Sequence, residues 1–270
     1  MAERFYYSIA SGSAGNCGLY LAGGTAILID AGVSLRRITA GLSALGLGLD
    51  DLAAVLLTHE HGDHVRGLPM LLKKCAVPVF ASRGTARVLT QKEPICADRL
   101  NTFDSGARFW VRDVDVDSFA TPHDAAESVG YVLTHEGRRF GFATDLGFVP
   151  HDAADRLRGC TAVVLESNHD PHMLQAGPYP YALKMRVAGP SGHLSNPDCA
   201  VCAAELVKSG TRTLILAHLS EKNNMPALAL QQTRHAVRGL PLCRVIVAPR
   251  DCMGEPVLLE EGEALCSLSG

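Results

Sequence analysis

Three histidines and one aspartate lie close together in the sequence, at His59, His61, Asp63 and His64, in a chain with 11 histidines among 270 residues. The apolar run at residues 53–57 precedes them and predicts a buried strand. From His64 onward, apolar residues recur at helical spacing, which predicts a helix to about residue 74. Gly62 is expected to let the backbone turn sharply between the pair His59 and His61 and the pair Asp63 and His64. The polar side chains are therefore predicted to lie on a loop between a strand and a helix.

These residue types are suited to binding metal ions. In an extended segment, residues two apart point the same way, so that His59 and His61 can face one ion. After the turn, Asp63 and His64 can face a second ion. Imidazole and carboxylate suit zinc, manganese or iron better than calcium, and two such ions about 3.5–4 Å apart promote hydrolysis. The alternatives are a polar loop without metal and a closed structural zinc site, although the latter normally recruits cysteines and this loop has none.

The segment from Thr58 to His64 has the pattern His-x-His-x-Asp-His after a predicted buried strand. This pattern resembles the hallmark of the metallo-β-lactamase superfamily. The resemblance implies an α+β fold, a four-layer αββα sandwich, that forms a single metallo-β-lactamase-fold hydrolase domain over residues 1–270. It also implies two divalent metal ions, Zn²⁺ or Mn²⁺ or else Fe²⁺, at one edge of the sandwich, with three further ligands downstream.

The same resemblance assigns the remaining ligands to residues that follow predicted strands. His123 follows the alternating pattern of residues 107–120, Asp145 follows a strand at 139–143, and His218 follows one at 213–217. The first ion is assigned His59, His61 and His123; the second is assigned Asp63, His64 and His218; Asp145 bridges both. Some lactam-hydrolysing relatives have cysteine in place of Asp145, and oxygen-reducing di-iron relatives have glutamate in place of His61. The sequence therefore disfavours both of those activities.

Three other polar residues near these ligands have alternative interpretations. Asp30 ends an apolar strand, where an unpaired carboxylate is unfavourable. It either lies beneath the metal loop with Thr58, as the resemblance implies, and orients a ligand histidine, or it caps a helix or turn. Asp124 either pairs with a histidine or is solvated. His135 is expected to be a solvent-exposed turn residue.

Composition limits the partners and the compartment. The formal net charge is −3, so that the chain has no overall attraction to nucleic acid or to an anionic membrane, and phosphate binding must come from a local cluster. The sequence has no apolar stretch of signal-peptide or membrane-spanning length, and we expect a cytoplasmic protein without membrane contact. Its nine cysteines indicate reduced thiols rather than a disulfide framework. Cys199-x-x-Cys202 lies in an alanine-rich helical stretch, which favours packing over redox chemistry.

Four stretches resemble one bacterial branch of the superfamily, the YycJ/WalJ-like metallo-hydrolases. They are Ser11-Gly12-Ser13-Ala14-Gly15-Asn16-Cys17, Leu165-Glu166-Ser167-Asn168-His169-Asp170, Gly192-His193-Leu194-Ser195-Asn196 and His218-Leu219-Ser220-Glu221-Lys222-Asn223-Asn224. The branch is associated with 5′-to-3′ exonuclease activity on DNA, which implies a dinuclear-metal phosphodiester hydrolase with a metal-bridging hydroxide as nucleophile. Ser191 departs from the charged residue expected before Gly192, and this departure affects the substrate assignment more than the chemistry.

Phosphodiester hydrolysis also needs a proton donor for the leaving oxygen. His193 and His169 are the candidate general acids, because both are non-ligand histidines in loops that could reach the site and histidine titrates near neutral pH. His193 ranks first because Gly192 allows close approach, and a core or capping role is the alternative for each. Asp63 is counted as a catalytic residue as well as a ligand.

Substrate phosphates are predicted to meet two segments. Residues 171–190, rich in proline, glycine and tyrosine, are expected to form a long loop or lid whose Lys184 and Arg186 either contact flanking phosphates or are merely solvated. Ser13 and Asn16 lie in a glycine-rich turn, which either offers backbone N–H groups to an anion or is a plain hairpin turn.

The main alternative function is a small-molecule phosphodiesterase that acts on cyclic nucleotides or ribose phosphates through the same metal chemistry. Thioester hydrolysis uses a similar metal set but usually comes with a helical C-terminal substrate domain, which the sequence does not indicate. A non-catalytic scaffold protein would be expected to have lost ligands. The expected partner is therefore DNA or a small phosphodiester, and the sequence leaves the oligomeric state open.

Overall fold

The computed structural model describes residues 4–250 and 252–259, and within them two seven-stranded β-sheets pack face to face. The first sheet contains β1 (Phe5–Ala10), β2 (Cys17–Ala22), β3 (Thr25–Ile29), β4 (Leu52–Leu56), β5 (Val79–Ser82), β6 (Leu100–Phe103) and β14 (Val257–Leu258), in the order β14-β1-β2-β3-β4-β5-β6. The second contains β7 (Arg108–Val111), β8 (Val114–Ala120), β9 (Val129–His135), β10 (Arg138–Ala143), β11 (Ala162–Glu166), β12 (Thr213–Ala217) and β13 (Arg244–Val247), in the order β13-β12-β11-β10-β9-β8-β7.

Helices cover the outer face of each sheet. They are α1 (Leu35–Ser43), α2 (Gly62–Val65), α3 (Leu68–Leu72), α4 (Arg83–Lys92), α5 (His151–Leu157), α6 (Pro171–Ala176), α7 (Tyr181–Val187), α8 (Asn196–Lys208) and α9 (Pro226–Ala236), with 3-10 turns at Leu49–Asp51 and Pro94–Arg99. Side chains of α1, α3 and α4 pack on the first sheet, and those of α5, α8 and α9 pack on the second. A third apolar cluster fills the space between the sheets. The predicted αββα sandwich is confirmed by these layers.

Parallel pairing brings the functional strand ends to one edge. In the first sheet β3 and β4 are parallel, and in the second β10, β11 and β12 are parallel. Their sequences are nearly continuous apolar runs, such as residues 52–56, because both faces of each strand are buried. The carboxyl ends of neighbouring parallel strands lie at the same edge, where polar loops can converge.

The structure corrects the prediction that one helix runs from His64 to about residue 74. The segment forms α2 and α3 instead, separated at Gly67. A Cβ atom on Gly67 would lie 1.9 Å from the Val33 carbonyl oxygen, so that only glycine allows this close approach between chain segments.

The expectation of a long loop or lid over residues 171–190 is also wrong, because α6 and α7 occupy most of it. The Asp170 side chain caps α6 by accepting hydrogen bonds from the His172 and Met173 N–H groups, and Pro171 occupies the first turn.

His135 is buried rather than solvent-exposed, with 5% of its surface accessible. Its Nδ1 accepts a hydrogen bond from the Arg4 side chain, and its Nε2 lies 2.9 Å from Asp113 Oδ2. Partners distant in sequence therefore cover this hairpin residue.

Three further features bear on the sequence predictions. The Cys199 thiol is buried and that of Cys202 is partly buried, and burial raises the pKa of both, which agrees with a packing role. Within residues 4–250 and 252–259, no helix is long and apolar enough to cross a membrane. The acidic tail that includes Glu260, Glu261 and Glu263 lies outside the described residues.

Candidate metal centre and active site

The metal loop leaves the carboxyl end of β4 and enters α2 within a few residues. His61 precedes α2 with extended backbone, and the His64 N–H donates to the His61 carbonyl. Gly62 is not among the described glycines with positive φ, and a Cβ atom there would meet nothing within 4 Å. The turn therefore does not depend on glycine, and the expected role of Gly62 is wrong.

The seven residues predicted to be ligands come together in space, although they are spread from the first sheet to the second. The structure gathers their donor atoms into overlapping groups, each spanning no more than 4.8 Å: His59 with His61 and His123; Asp63 with His64 and His218; His59 with His64 and Asp145; and Asp145 with Glu166, His193 and His218. Asp145 belongs to two of these groups, so that its carboxylate lies between the histidines of both predicted subsites.

Several buried donor atoms in this cluster point to metal ions. His59 Nε2, His218 Nε2 and Asp145 Oδ2 are buried and have no hydrogen-bond partner among the described residues. Buried polar atoms are normally paired, and leaving them unpaired is unfavourable. Imidazole nitrogen and carboxylate oxygen are ligands that zinc, manganese and iron accept. The residues present therefore fit divalent metal ions, with one donor group at His59, His61 and His123 and another at Asp63, His64 and His218.

The charges of the cluster favour cations. Burial raises the pKa of Asp63, but the nearby His218 and His64 rings outweigh it and hold that pKa well below its ordinary value. Burial lowers the pKa of His218, but the carboxylates of Asp145 and Asp63 outweigh it and raise that pKa to about 10. Burial, together with the nearby His64 ring, lowers the pKa of His59, which leaves a neutral imidazole able to bind metal.

Three residues of the cluster have left-handed backbone conformations. The φ angles are 59° for Asp30, 58° for Asp145 and 56° for His218. This region costs about 1–2 kcal/mol for residues other than glycine. Each residue follows the end of a buried strand, and the turn aims its side chain into the cluster. Strain of this kind concentrates at functional sites.

Asp30 lies beneath the metal loop and does not cap a helix. Its Oδ2 is 2.8 Å from His64 Nδ1, and its Oδ1 accepts the Thr58 N–H at 2.8 Å. The Thr58 hydroxyl also hydrogen-bonds the carboxylate. A donor at His64 Nδ1 leaves Nε2 facing Asp63 and Asp145, at 3.5 and 3.4 Å from their carboxylate oxygens.

Glu166 is a central residue to which the sequence analysis gave no role. Its Oε1 lies 2.9 Å from His193 Nδ1 and 2.7 Å from His218 Nδ1. Its Oε2 accepts the N–H groups of Leu146 and Leu194, each at 3.0 Å. A glutamate at the end of the apolar run 162–166 is the same signal that drew attention to Asp30, and it could have identified this residue.

The two candidate general acids have different surroundings. His193 is 22% exposed in its side chain, and its Nδ1 is 3.6 Å from Asp145 Oδ1. Burial lowers the pKa of His193, but the Glu166 carboxylate outweighs it, so that the pKa is raised. His169 is buried at 3% exposure, its Nδ1 has no hydrogen-bond partner among the described residues, and burial lowers its pKa.

Three of the four predicted phosphate-binding residues already have intramolecular partners. Asp124 pairs with a histidine, which was one of its two alternatives, since its Oδ1 lies 3.4 Å from His123 Nε2; it also forms an ion pair with Arg186. The Lys184 ammonium donates to the Gln175 carbonyl. Asn16 Nδ2 lies 3.3 Å from Asp63 Oδ2 and 3.0 Å from His64 Nε2, so that Asn16 reaches the cluster itself. Ser13 is exposed on the same turn.

Comparisons with known proteins agree with this architecture. A sequence profile described as the β-lactamase superfamily domain matches residues 25–219. The chain is 37% identical over 225 residues to exodeoxyribonuclease YycJ of Bacillus anthracis, which covers 82% of this chain and 84% of that protein. It is 33% identical over 229 residues to exodeoxyribonuclease WalJ of Streptococcus pneumoniae, covering 83% and 85%. The fold resembles the metallo-β-lactamase fold protein YhfI from Bacillus subtilis, with a TM-score of 0.69 and 16% identity over 93% of this chain and 99% of that one.

Proposed function

Since the chain belongs to the β-lactamase superfamily and is a metal-dependent hydrolase, we propose that it is a dinuclear-metal phosphodiesterase that removes nucleotides from the 5′ end of DNA. The observation that carries the proposal is the position of Asp145 between two groups of histidine donors, within 4.8 Å of the other donors in each of its groups. That arrangement suits two ions with one shared carboxylate. The DNA substrate is supported by the names of the two relatives, which match most of this chain.

When bound, the ions would activate water and stabilise the negative charge that develops on the phosphate oxygens. The chain's own residues orient the reaction. Asp30 holds His64, and Glu166 holds His218, each through the Nδ1 atom, so that the Nε2 atoms face the cluster. His59 and His64 are fully buried, which keeps bulk water away from one side of the centre.

His193 is the residue that supplies the proton to the leaving oxygen. Glu166 accepts from its Nδ1, so that Nε2 is the ring nitrogen left to carry the transferred proton. The partly exposed ring borders Asp145 and can therefore meet a substrate beside the metal centre. His169 is buried and lines a cavity, which suits binding rather than proton transfer.

A small-molecule phosphodiesterase is the second candidate. A cavity of about 440 Å³ beside His169 has a volume that suits a ligand as small as one nucleotide. The metal chemistry would be the same, and only the substrate would differ.

The test is digestion of 5′-end-labelled and internally labelled DNA with Mn²⁺ or Zn²⁺, comparing wild type with Asp145→Asn. Asparagine tolerates the left-handed backbone of this position better than alanine does, so that folding is preserved. Stepwise release of 5′ nucleotides by wild type alone is the expected result. Turnover of bis-p-nitrophenyl phosphate without cleavage of DNA would favour the second candidate, and turnover of neither by the metal-loaded protein would overturn phosphodiester hydrolysis.

A further inference from the structure

A cavity of about 440 Å³ lies between α6, α7 and the segment that follows β11. Its floor includes His169 and Leu174, and its outer wall includes Tyr181 and Met185. The proposed hydrolysis of phosphodiesters uses none of these residues. The volume is comparable to that of pockets that take small organic ligands.

The outer wall presents large apolar side chains to solvent. Tyr181 is 77% exposed and Met185 is 55% exposed, one turn apart on α7. Single exposed apolar residues are common, but a pair that lines a cavity marks a binding surface. An aromatic ring and a polarisable thioether are side chains on which a flat aromatic ligand stacks favourably.

The floor of the cavity contains a polar group that lacks a partner. His169 is 3% exposed, and its Nδ1 is buried with no hydrogen-bond partner among the described residues. Buried polar atoms in native proteins are normally satisfied, so that this ring has an unused capacity for hydrogen bonding. A neutral imidazole can donate or accept, and it therefore matches the edge of a heteroaromatic base.

A positive charge stands at the rim. Lys184 lines the same cavity, and its ammonium group donates to the Gln175 carbonyl. Among the residues that the structure describes, no carboxylate forms an ion pair with it. An ammonium without a counter-charge is complementary to a phosphate that adjoins a bound base.

Two of the chain segments that line the cavity also lead to residues of the proposed centre. His169 follows β11 three residues after Glu166, and the charges of Glu166 and His193 act on it. On the other side, the His193 N–H donates to the Val187 carbonyl at the end of α7 at 2.9 Å. The backbone of α7 therefore connects the outer wall of the cavity to the residue that we assign as proton donor.

We propose that this cavity binds one nucleobase of the substrate strand and thereby positions the neighbouring phosphate at the metal centre. Tyr181 stacks on the base, the His169 ring hydrogen-bonds its edge, and Lys184 contacts the adjoining backbone. This inference rests on the proposed function. The proposed exonuclease thereby gains a base-binding subsite, in which Tyr181 and Met185 determine substrate affinity.

The experiment measures kcat and KM on single-stranded oligonucleotides for wild type, Tyr181→Ala and Tyr181→Phe. Trp110→Ala is the matched control, because Trp110 is an aromatic residue of similar exposure, 63%, on the edge strand β7. A second set of substrates carries a single abasic residue at each of the first four positions. Melting temperatures are recorded for all variants, and none should change much because both residues are exposed.

We expect Tyr181→Ala to raise KM roughly 5- to 100-fold with kcat little changed, since stacking on one base is lost. Tyr181→Phe and Trp110→Ala should behave as wild type. For the wild-type enzyme, a substrate that lacks the base at one particular position should have a similarly raised KM. On that substrate, Tyr181→Ala should cause no further increase in KM. Wild-type KM for Tyr181→Ala, or additive losses at every abasic position, would overturn the subsite while leaving exonuclease activity intact. If the wild-type enzyme cleaves no DNA, the proposed function is overturned, and so is the assignment of a nucleobase to this cavity.

Discussion

His218 Nδ1 lies 2.7 Å from Glu166 Oε1, and their side chains are 2% and 0% exposed. The same oxygen is 2.9 Å from His193 Nδ1. One buried carboxylate thus fixes the ring orientation of a proposed metal ligand and of the proposed proton donor. Its second oxygen accepts hydrogen bonds from two backbone N–H groups, that of Leu146, which follows Asp145, and that of Leu194, which follows His193.

Glu166→Gln should therefore lower metal affinity and catalysis together. If the amide oxygen replaces Oε1, the NH₂ group meets the Leu146 and Leu194 N–H donors; if the amide is reversed, the NH₂ group presents donors to both imidazoles. Loss of such an orienting partner typically reduces metal affinity or activity about 10- to 100-fold. The measurements are kcat/KM and metal affinity by chelator competition. Glu127→Gln is the control, because Glu127 also accepts two backbone N–H groups, those of Gly84 and Ser105. Equal activity of the two variants would show that Glu166 does not orient His218 and His193 for catalysis.

The apolar strands of the sequence located the strand ends that carry the proposed ligands, and the resemblance to the metallo-β-lactamase superfamily assigned the ligands among them. A short buried run such as residues 213–217 places its next residue at a sheet edge, and parallel pairing brings several such edges together. The apolar pattern of the sequence could not predict the left-handed backbone of Asp30, Asp145 and His218, because no neighbouring residue type requires that conformation. Those turns are imposed by packing between elements far apart in the chain.

Prediction failed where long-range contacts decide the outcome. His135 sits in a hairpin, and only the approach of Arg4 and Asp113 buries it. The segment 171–190 was expected to be a loop because of its prolines and glycines, yet Pro171 and Pro180 stand at helix starts, where proline is favoured. The same residue types thus mark helix starts as well as loops.

Asp30→Asn should weaken binding at the subsite that includes His64. The amide at Oδ2 would present a donor to His64 Nδ1 and favour the wrong tautomer, and asparagine tolerates the left-handed backbone. Metal stoichiometry and affinity should report about a 10- to 100-fold loss for one ion of the pair. Asp113→Asn alters a similar carboxylate–histidine contact at His135, away from the cluster, and should leave metal binding unchanged. Loss of neither ion would contradict the assignment.

Gly32→Ala should disrupt the metal loop. A Cβ atom at Gly32 would lie 1.5 Å from the Asp63 carbonyl oxygen, so that the loop must move. We expect destabilisation of about 3 kcal/mol or more, with a melting temperature lowered by roughly 6 °C or more and weaker metal binding. Gly62→Ala, in the same loop but in open space, should change stability by no more than about 0.5 kcal/mol. Thermal unfolding of both variants decides the point.

Removal of metal should lower stability as well as activity. The buried donors His59 Nε2, His218 Nε2 and Asp145 Oδ2 have no other hydrogen-bond partner among the described residues. Metal at 100 times its dissociation constant stabilises the folded state by about 2.7 kcal/mol per site, which is roughly 5–10 °C in melting temperature. Chelation followed by calorimetry, with elemental analysis for two ions per chain, tests this. A melting temperature that does not respond to chelation would mean that the cluster holds no tightly bound ion.

Lys184→Ala and Arg186→Ala should differ in the salt dependence of DNA binding. Each phosphate contact that is lost reduces the slope of log K against log salt by about one. The Arg186 guanidinium is already paired with Asp124, and contact with a phosphate requires that pair to open, whereas Lys184 gives up only a carbonyl. We therefore expect Lys184→Ala to reduce the slope by about one and Arg186→Ala to reduce it less. Arg83→Ala, which breaks the exposed pair with Asp104, is the control. An unchanged slope for Lys184→Ala would exclude a phosphate contact, and a larger change for Arg186→Ala would mean that the Asp124 pair opens readily when DNA binds.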